Sequence, residues 1–127
     1  MTNIAINAPD APQPSGGYSQ AVEVRDAKRL LYISGQVPEP DTGVVPADFG
    51  AQARLVWSHL LAQLAAAELT VNNLVKVTTF LASRDFADRN AEVRREVLGQ
   101  HAPALTVIIT GIYDARWLLE IEAIAAE

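Results

Sequence analysis

The sequence predicts an α+β domain in which two helices pack on one face of a mixed β-sheet. Three observations predict it. Short runs rich in β-branched and aromatic residues recur before, between and after two stretches of helical periodicity, in the order β-β-(β)-α-β-α-β-β. The two helical stretches each carry a one-sided apolar stripe. With two helices for about five or six strands, one sheet face lacks a helical cover, and a second subunit is the expected partner for it.

Taken in order, residues 3–6 allow a short edge strand. Pro9, Pro12, Pro14, Gly16 and Gly17 then break regular structure and lead to Tyr18. Residues 19–24 alternate as a strand does, residues 26–29 read as a polar turn, and residues 30–34 form a second apolar run. The pair reads as a hairpin. Pro38, Pro40 and Asp41-Thr42-Gly43 make a long turn. Asp48 is placed as an N-cap. After it Phe49, Ala53, Val56, Leu60, Leu64 and Ala67 recur at helical spacing over about five turns. Leu55, Trp57 and Leu61 broaden the apolar side, whereas Gln52, Arg54, Ser58 and Gln63 fall away from the stripe. Residues 70–73 end the helix, and residues 75–82 are strand-like. Asp85 is the expected cap of a second helix over 86–98, with Asp88 in its first turn and Phe86, Asn90, Val93 and Val97 sharing a face. Gly99 suits the position after its end. Two more strands, 105–111 and 118–125, are joined by a loop containing Asp114.

The chain has 127 residues, the size of one domain spanning residues 1–127. It lacks cysteine and has two histidines, which disfavours disulfides and zinc or iron sites. A net charge of −5 argues against a phosphate-gripping nucleic-acid binder. No signal-peptide pattern and no apolar run of membrane-spanning length is read in it, so a cytoplasmic protein is expected. The last strand offers the first chemistry. Glu120 and Glu122 lie two apart among aliphatic residues, so both carboxylates point to the same sheet face.

Several segments in order carry a resemblance. They are Gly17-Tyr18-Ser19-Gln20-Ala21-Val22, Ser34-Gly35-Gln36-Val37-Pro38, Thr42-Gly43 and Gln52-Ala53-Arg54. They continue with Leu74-Val75-Lys76-Val77-Thr78-Thr79-Phe80-Leu81, Asp85-Phe86 with Asn90, Pro103-Ala104, and Glu120-Ile121-Glu122-Ala123-Ile124-Ala125. Together, at this spacing, the chain resembles the RidA (YjgF) family. The resemblance implies a chorismate-mutase-like fold assembled as a homotrimeric barrel with the helices outside. It also implies a small-molecule cleft between each pair of subunits and hydrolysis of 2-imino or enamine acids to 2-oxo acids and ammonia. No metal or organic cofactor is implied, and some members of the family are described as ribonucleases or translation inhibitors.

The resemblance assigns roles residue by residue. Glu120 matches the carboxylate that orients or activates the attacking water, and a carboxyl in an apolar cleft can serve as general acid or base. Tyr18 matches a residue at the cleft mouth, Gly35 a position whose backbone faces the ligand, and Asn90 a helix position beside it. Each also has a plain structural reading: a strand glutamate, a packing aromatic, a turn glycine, a helix residue bonded to a loop. The departure lies at Pro103-Ala104-Leu105-Thr106, where the family reads Pro-Ala-Arg-Ser. Leu105 stands where an arginine would grip the substrate carboxylate. A charge-assisted hydrogen bond is worth roughly 1.5–3 kcal/mol, so losing two costs on the order of a hundredfold in binding. Thr106 can still donate to a ligand oxygen, and Arg116 is the nearby cation that could return the charge. Gly17 replaces a proline, which loosens the loop before Tyr18. His59 and His101 are not paired by any motif.

Three functions compete on this reading. One is a deaminase-type hydrolase of altered substrate range, with ordinary 2-imino acid turnover weak or absent. Another is a non-catalytic binder of a small ligand. A nucleic-acid-acting protein is disfavoured by the acidic balance and the lack of an aromatic-basic patch.

Overall fold

A computed structural model describes residues 2–127, which form six strands and two α-helices. Four strands make the main sheet: β3 (Leu30–Gln36), β4 (Leu74–Leu81), β5 (Ala104–Ile109) and β6 (Leu119–Ala126), in the order β3-β6-β4-β5. The β3–β6 and β6–β4 pairs are antiparallel and β4–β5 is parallel, so the sheet is mixed. Helices α1 (Phe49–Ala66) and α2 (Ala87–Leu98) supply the connections.

The core lies between the helices and one sheet face. Ala53, Val56, Trp57, Leu60 and Leu64 of α1 meet Val77 and Leu81 of β4 and Leu119, Ile121 and Ala123 of β6, all buried. Strand alternation sends Lys76, Thr78 and Phe80 of β4, with Glu120, Glu122 and Ile124 of β6, to the opposite face, where none is fully buried. That face also carries Leu30 and Tyr32 of β3, 53% and 70% exposed. The expected helix-on-one-face architecture is therefore present.

Two expectations are corrected. The strands around residues 26–29 do not form a hairpin. Instead β2 (Ala21–Arg25) pairs antiparallel with β1 (Thr2–Ile6) in a separate two-stranded sheet, while β3 pairs with β6. The cause is visible at the turn. The amides of Lys28 and Arg29 donate to the Glu127 carbonyl at 2.6 and 3.1 Å, and the Glu127 amide donates back to Arg29 O at 3.0 Å. These bonds prolong the β3–β6 ladder and carry the chain from one sheet to the other.

The second correction concerns caps. Asp48 caps α1 as expected, its Oδ2 accepting from the Ala51 amide at 2.9 Å. Asp85 does not cap α2. The hydroxyl of Ser83 accepts from the Asp85 amide at 3.1 Å and opens a 3-10 turn, Arg84–Phe86, ahead of the helix. Phe86 stacks on Phe49, ring centroids 4.6 Å apart, and so pins the two helix starts together. Gly99 ends α2 at φ +59°, a conformation glycine adopts freely.

Burial of α1 also departs from its stripe. Leu61 is 38% exposed, whereas Gln52 is buried. Among the described residues, no helix is long and apolar enough to cross a membrane.

Candidate functional site

β6 places the carboxylates. Its odd residues Leu119, Ile121 and Ala123 are drawn into the core, so Glu120 and Glu122 must stand on the open face. Glu120 pairs across β4 with Phe80, and its side chain reaches over β3 to Gly35. A Cβ on Gly35 would stand 2.7 Å from the Glu120 carboxyl carbon and 2.9 Å from its Cγ. The β3–β6 register shifts between Ile33 and Gln36, which brings the Gly35 backbone under this carboxylate. The ion pairs among the described residues lie elsewhere on the surface, and none involves Glu120.

Glu122 faces a shallow depression of about 220 Å³ with Tyr32, Ser34, Lys76 and Thr78. Thr106 shares this open face, since it pairs with Thr78 on the neighbouring strand. Its Oγ1 accepts from the Lys76 ammonium at 2.6 Å, so the threonine is already engaged with a cation of the sheet.

Leu105 points the other way. It pairs with fully buried Val77 and packs against the core on the helix side. Within one chain Leu105 and Glu120 therefore lie on opposite faces of the sheet. Asn90 is also on the helix side, buried on α2. Tyr18 sits on the strap that links β1 to β2. The next residue, Ser19, anchors that strap to the start of β5: its amide donates to Pro103 O at 3.0 Å and its hydroxyl to Ala102 O at 2.6 Å. The Tyr18 oxygen accepts from the Ser15 amide at 3.3 Å. Hydrogen bonding with Ser15, first its side chain and then its amide, lowers the phenol's pKa below its usual value, and the nearby Arg94 charge acts in the same direction.

Arg116 lies in the β5–β6 loop and is held by Asp114. Its Nε and Nη2 donate to the two carboxylate oxygens at 3.1 and 2.8 Å, and its amide donates to Oδ1 at 2.8 Å. The Arg116 bonds pull the Asp114 pKa down to about 2. This arginine borders a groove of about 530 Å³ with Val44, Pro46, Gln52 and Leu118, away from Glu120.

The predicted site residues thus form three groups in one chain: Gly35 and Glu120, with Thr106 two strands away on the same face; Tyr18, Asn90 and Leu105 on the helix side; and Arg116 alone in its loop. No three His, Asp or Glu side chains among the described residues converge as a metal site requires.

Two residues escape the sequence reading. Gln52 is a buried clamp: its Nε2 donates to Pro46 O at 2.7 Å and Arg116 O at 3.0 Å, and its Oε1 accepts from the Leu118 amide at 2.8 Å. Its spacing of four from Val56 and eight from Leu60 was the available signal. Arg94 is buried on α2 beside the strap, one turn after Asn90.

Comparison with known proteins agrees with this architecture. A family model described as Endoribonuclease L-PSP matches residues 8–127. A RutC family protein of Pyrococcus horikoshii is 40% identical over 119 residues, 91% of each chain. TdcF of Escherichia coli, whose name assigns it provisionally as a reactive intermediate deaminase, is 36% identical over 125 residues, 94% of each chain. The crystal structure of that TdcF with bound serine superposes with a TM-score of 0.72, covering 98% of both chains. YyfB of Yersinia pestis, a Rid family protein of unknown function, gives a TM-score of 0.85 at 28% identity over the full length of both. On this match of model, sequence and fold, the chain belongs to the Endoribonuclease L-PSP family, the YjgF/RidA/RutC group.

Proposed function

We propose that this chain is a cytoplasmic Rid-type hydrolase. Three copies join through their open sheet faces, and each intersubunit cleft takes a small imine or enamine. The observation that carries the reading is the Glu120 carboxylate lodged over Gly35 on the open face of the main sheet, with no cation paired to it among the described residues. The three separated groups of site residues also favour assembly, because a cleft between copies can bring opposite faces together.

In this reading Glu120 takes a proton from water as the water oxygen bonds to the C=N carbon. Glu120 returns that proton to nitrogen to give a carbinolamine. The new hydroxyl then gives up its proton, carried by the same carboxylate to the amino nitrogen, as the C–N bond breaks and a carbonyl and ammonia leave. Leu105 supplies no fork for a carboxylate, so ordinary 2-imino acids are turned over weakly and the preferred substrate differs from them at that point. Nucleic acid is not the partner: the net charge of −5 opposes phosphate binding.

The test is ammonia release from enzymatically generated 2-iminobutyrate and from a panel of enamines, by the natural protein, Leu105→Arg and Glu120→Ala. The natural protein is expected to be slow on 2-iminobutyrate and Leu105→Arg faster. Glu120→Ala should abolish turnover of whichever compound the natural protein hydrolyses. Rapid hydrolysis of 2-iminobutyrate by the natural protein overturns the altered range. Turnover indifferent to Glu120→Ala overturns the hydrolase. A change confined to ligand affinity favours the second reading, a non-catalytic binder, which the donor-free Leu105 side chain already suits.

A further inference from the structure

Arg94 is 6% exposed, yet among the described residues no carboxylate forms an ion pair with it. The charges that act on it are Arg95 and Tyr18, and its Nε has no hydrogen-bond partner. Burial lowers its pKa from the usual guanidinium value, with the Arg95 charge adding to the effect. A buried guanidinium with an orphaned donor is costly unless an anion completes it. The Gly17–Ser19 strap lies against the guanidinium: a Cβ on Gly17 would lie 3.7 Å from Arg94 Nη2. The strap is tied in turn to Pro103 and Ala104, the residues immediately before Leu105. Tyr18, on the same strap, accepts from the Ser15 amide, and its phenol carries a proton of its own to donate.

We propose that Arg94, with the Tyr18 hydroxyl, is an anion site for the carboxylate of a small organic acid at the edge where the strap meets β5. The inference rests on the small-molecule cleft proposed above and names its ligand class: an acid whose carboxylate docks at the strap, not at residue 105. One planar fork and one phenol match a single carboxylate, whereas a dianionic phosphate calls for more donors than these.

The Arg94 Nε–H provides a direct reporter, since it is buried and unbonded. The natural protein, labelled with 15N, is titrated with 2-oxobutyrate, with 2-oxobutanamide and with inorganic phosphate, and the arginine Nε–H resonances are followed. The Arg94→Gln and Arg94→Lys variants are titrated by calorimetry, and the mass of each assembly is measured by light scattering. The Arg94 signal should move saturably with 2-oxobutyrate, at an affinity at least about tenfold above that for the amide or phosphate. Arg94→Gln should lose at least about tenfold in affinity at unchanged mass, with Arg94→Lys between the two. No movement of the Arg94 signal overturns the inference, even if the variants fail to fold. So does tighter binding of phosphate, or unchanged affinity in Arg94→Gln. A changed mass in Arg94→Gln with acid binding intact overturns it too, by assigning the guanidinium to a carboxylate of a neighbouring copy. Acid binding at Arg94 with turnover indifferent to Glu120 leaves this inference standing and removes the hydrolase. Glu120-dependent turnover with a silent Arg94 does the reverse.

Discussion

The Glu120 carboxylate fills the volume that any side chain at residue 35 would need. The two residues are far apart in sequence and come together because β3 and β6 are neighbours with a register shift at Gly35. Gly35→Ala therefore acts on Glu120. The obstructing atoms are the end of a flexible side chain, so stability should change by less than about 1 kcal/mol. Turnover or ligand affinity should fall by roughly one to two orders of magnitude, because the carboxylate is pushed from its position. Thermal unfolding and ammonia release, measured on the same preparation, check the split. A variant of full activity would show that the position of Glu120 is not used.

Gln52→Ala removes three hydrogen bonds that join α1 to the loop at Pro46 and to the β5–β6 loop. It leaves a buried amide and two carbonyls without partners, at about 1–3 kcal/mol for each unsatisfied group. The melting temperature should drop by roughly 10 °C or more. Gln52→Glu should be no better, since the groove then sets a carboxylate against the Pro46 and Arg116 carbonyls. Calorimetry of the two variants decides, and a melting temperature within a degree or two of the natural protein would refute the clamp.

The Asp114–Arg116 pair predicts a pH dependence with a definite sign. The folded pKa of Asp114 is about 2, against 3.8 unperturbed. A depressed carboxylate contributes stability above the unfolded pKa and loses it as pH falls through the folded one. The contribution of this loop should therefore be intact above about pH 4 and vanish on acidification toward about pH 2. A carboxyl NMR titration should place the Asp114 midpoint near the lower value, and Arg116→Ala should raise it toward 3.8. An unshifted midpoint in the natural protein would mean that the fork is not closed in solution.

The corrected cap makes a small but discriminating prediction. Ser83→Ala should cost about 1 kcal/mol, the ordinary loss for a capping hydroxyl. Asp85→Asn should cost only a few tenths of a kcal/mol, the size of a first-turn charge effect. Chemical denaturation of both variants compares them, and a larger loss at Asp85 would restore it as the cap.

Much of this was legible in the chain because it follows from local pattern. The stripe from Phe49 to Leu64, the Asp48 cap, Gly99 and the alternation that turns Glu120 outward all depend on near neighbours in sequence. Strand pairing does not. Residues 19–24 and 30–34 look like a hairpin until Glu127, a hundred residues away, takes the amides of Lys28 and Arg29. Polar residues in the core were hidden for a related reason. A helical stripe sorts Gln52 and Arg94 to the solvent side by chemistry, whereas their burial is decided by loops that cover them from elsewhere in the chain. For the site, motif matching could name Gly35, Glu120 and Leu105, but the opposition of Leu105 and Glu120 across the sheet emerges only from the register of β5 on β4.

The place of β6 between β3 and β4 also sets an order of events during synthesis. Until Leu119–Ala126 has left the ribosome, β3 has no partner in the main sheet and β4 can pair only with β5. Helix α1 meanwhile lacks Leu119, Ile121 and Ala123, a large part of its floor. A nascent chain stalled before this strand would expose both the apolar stripe of α1 and two unpaired strand edges, the features that draw chaperones and promote aggregation. The strand that bears the candidate catalytic carboxylate is thus also the one whose arrival closes the sheet, so the domain acquires Glu120 and its cooperative stability in the same step.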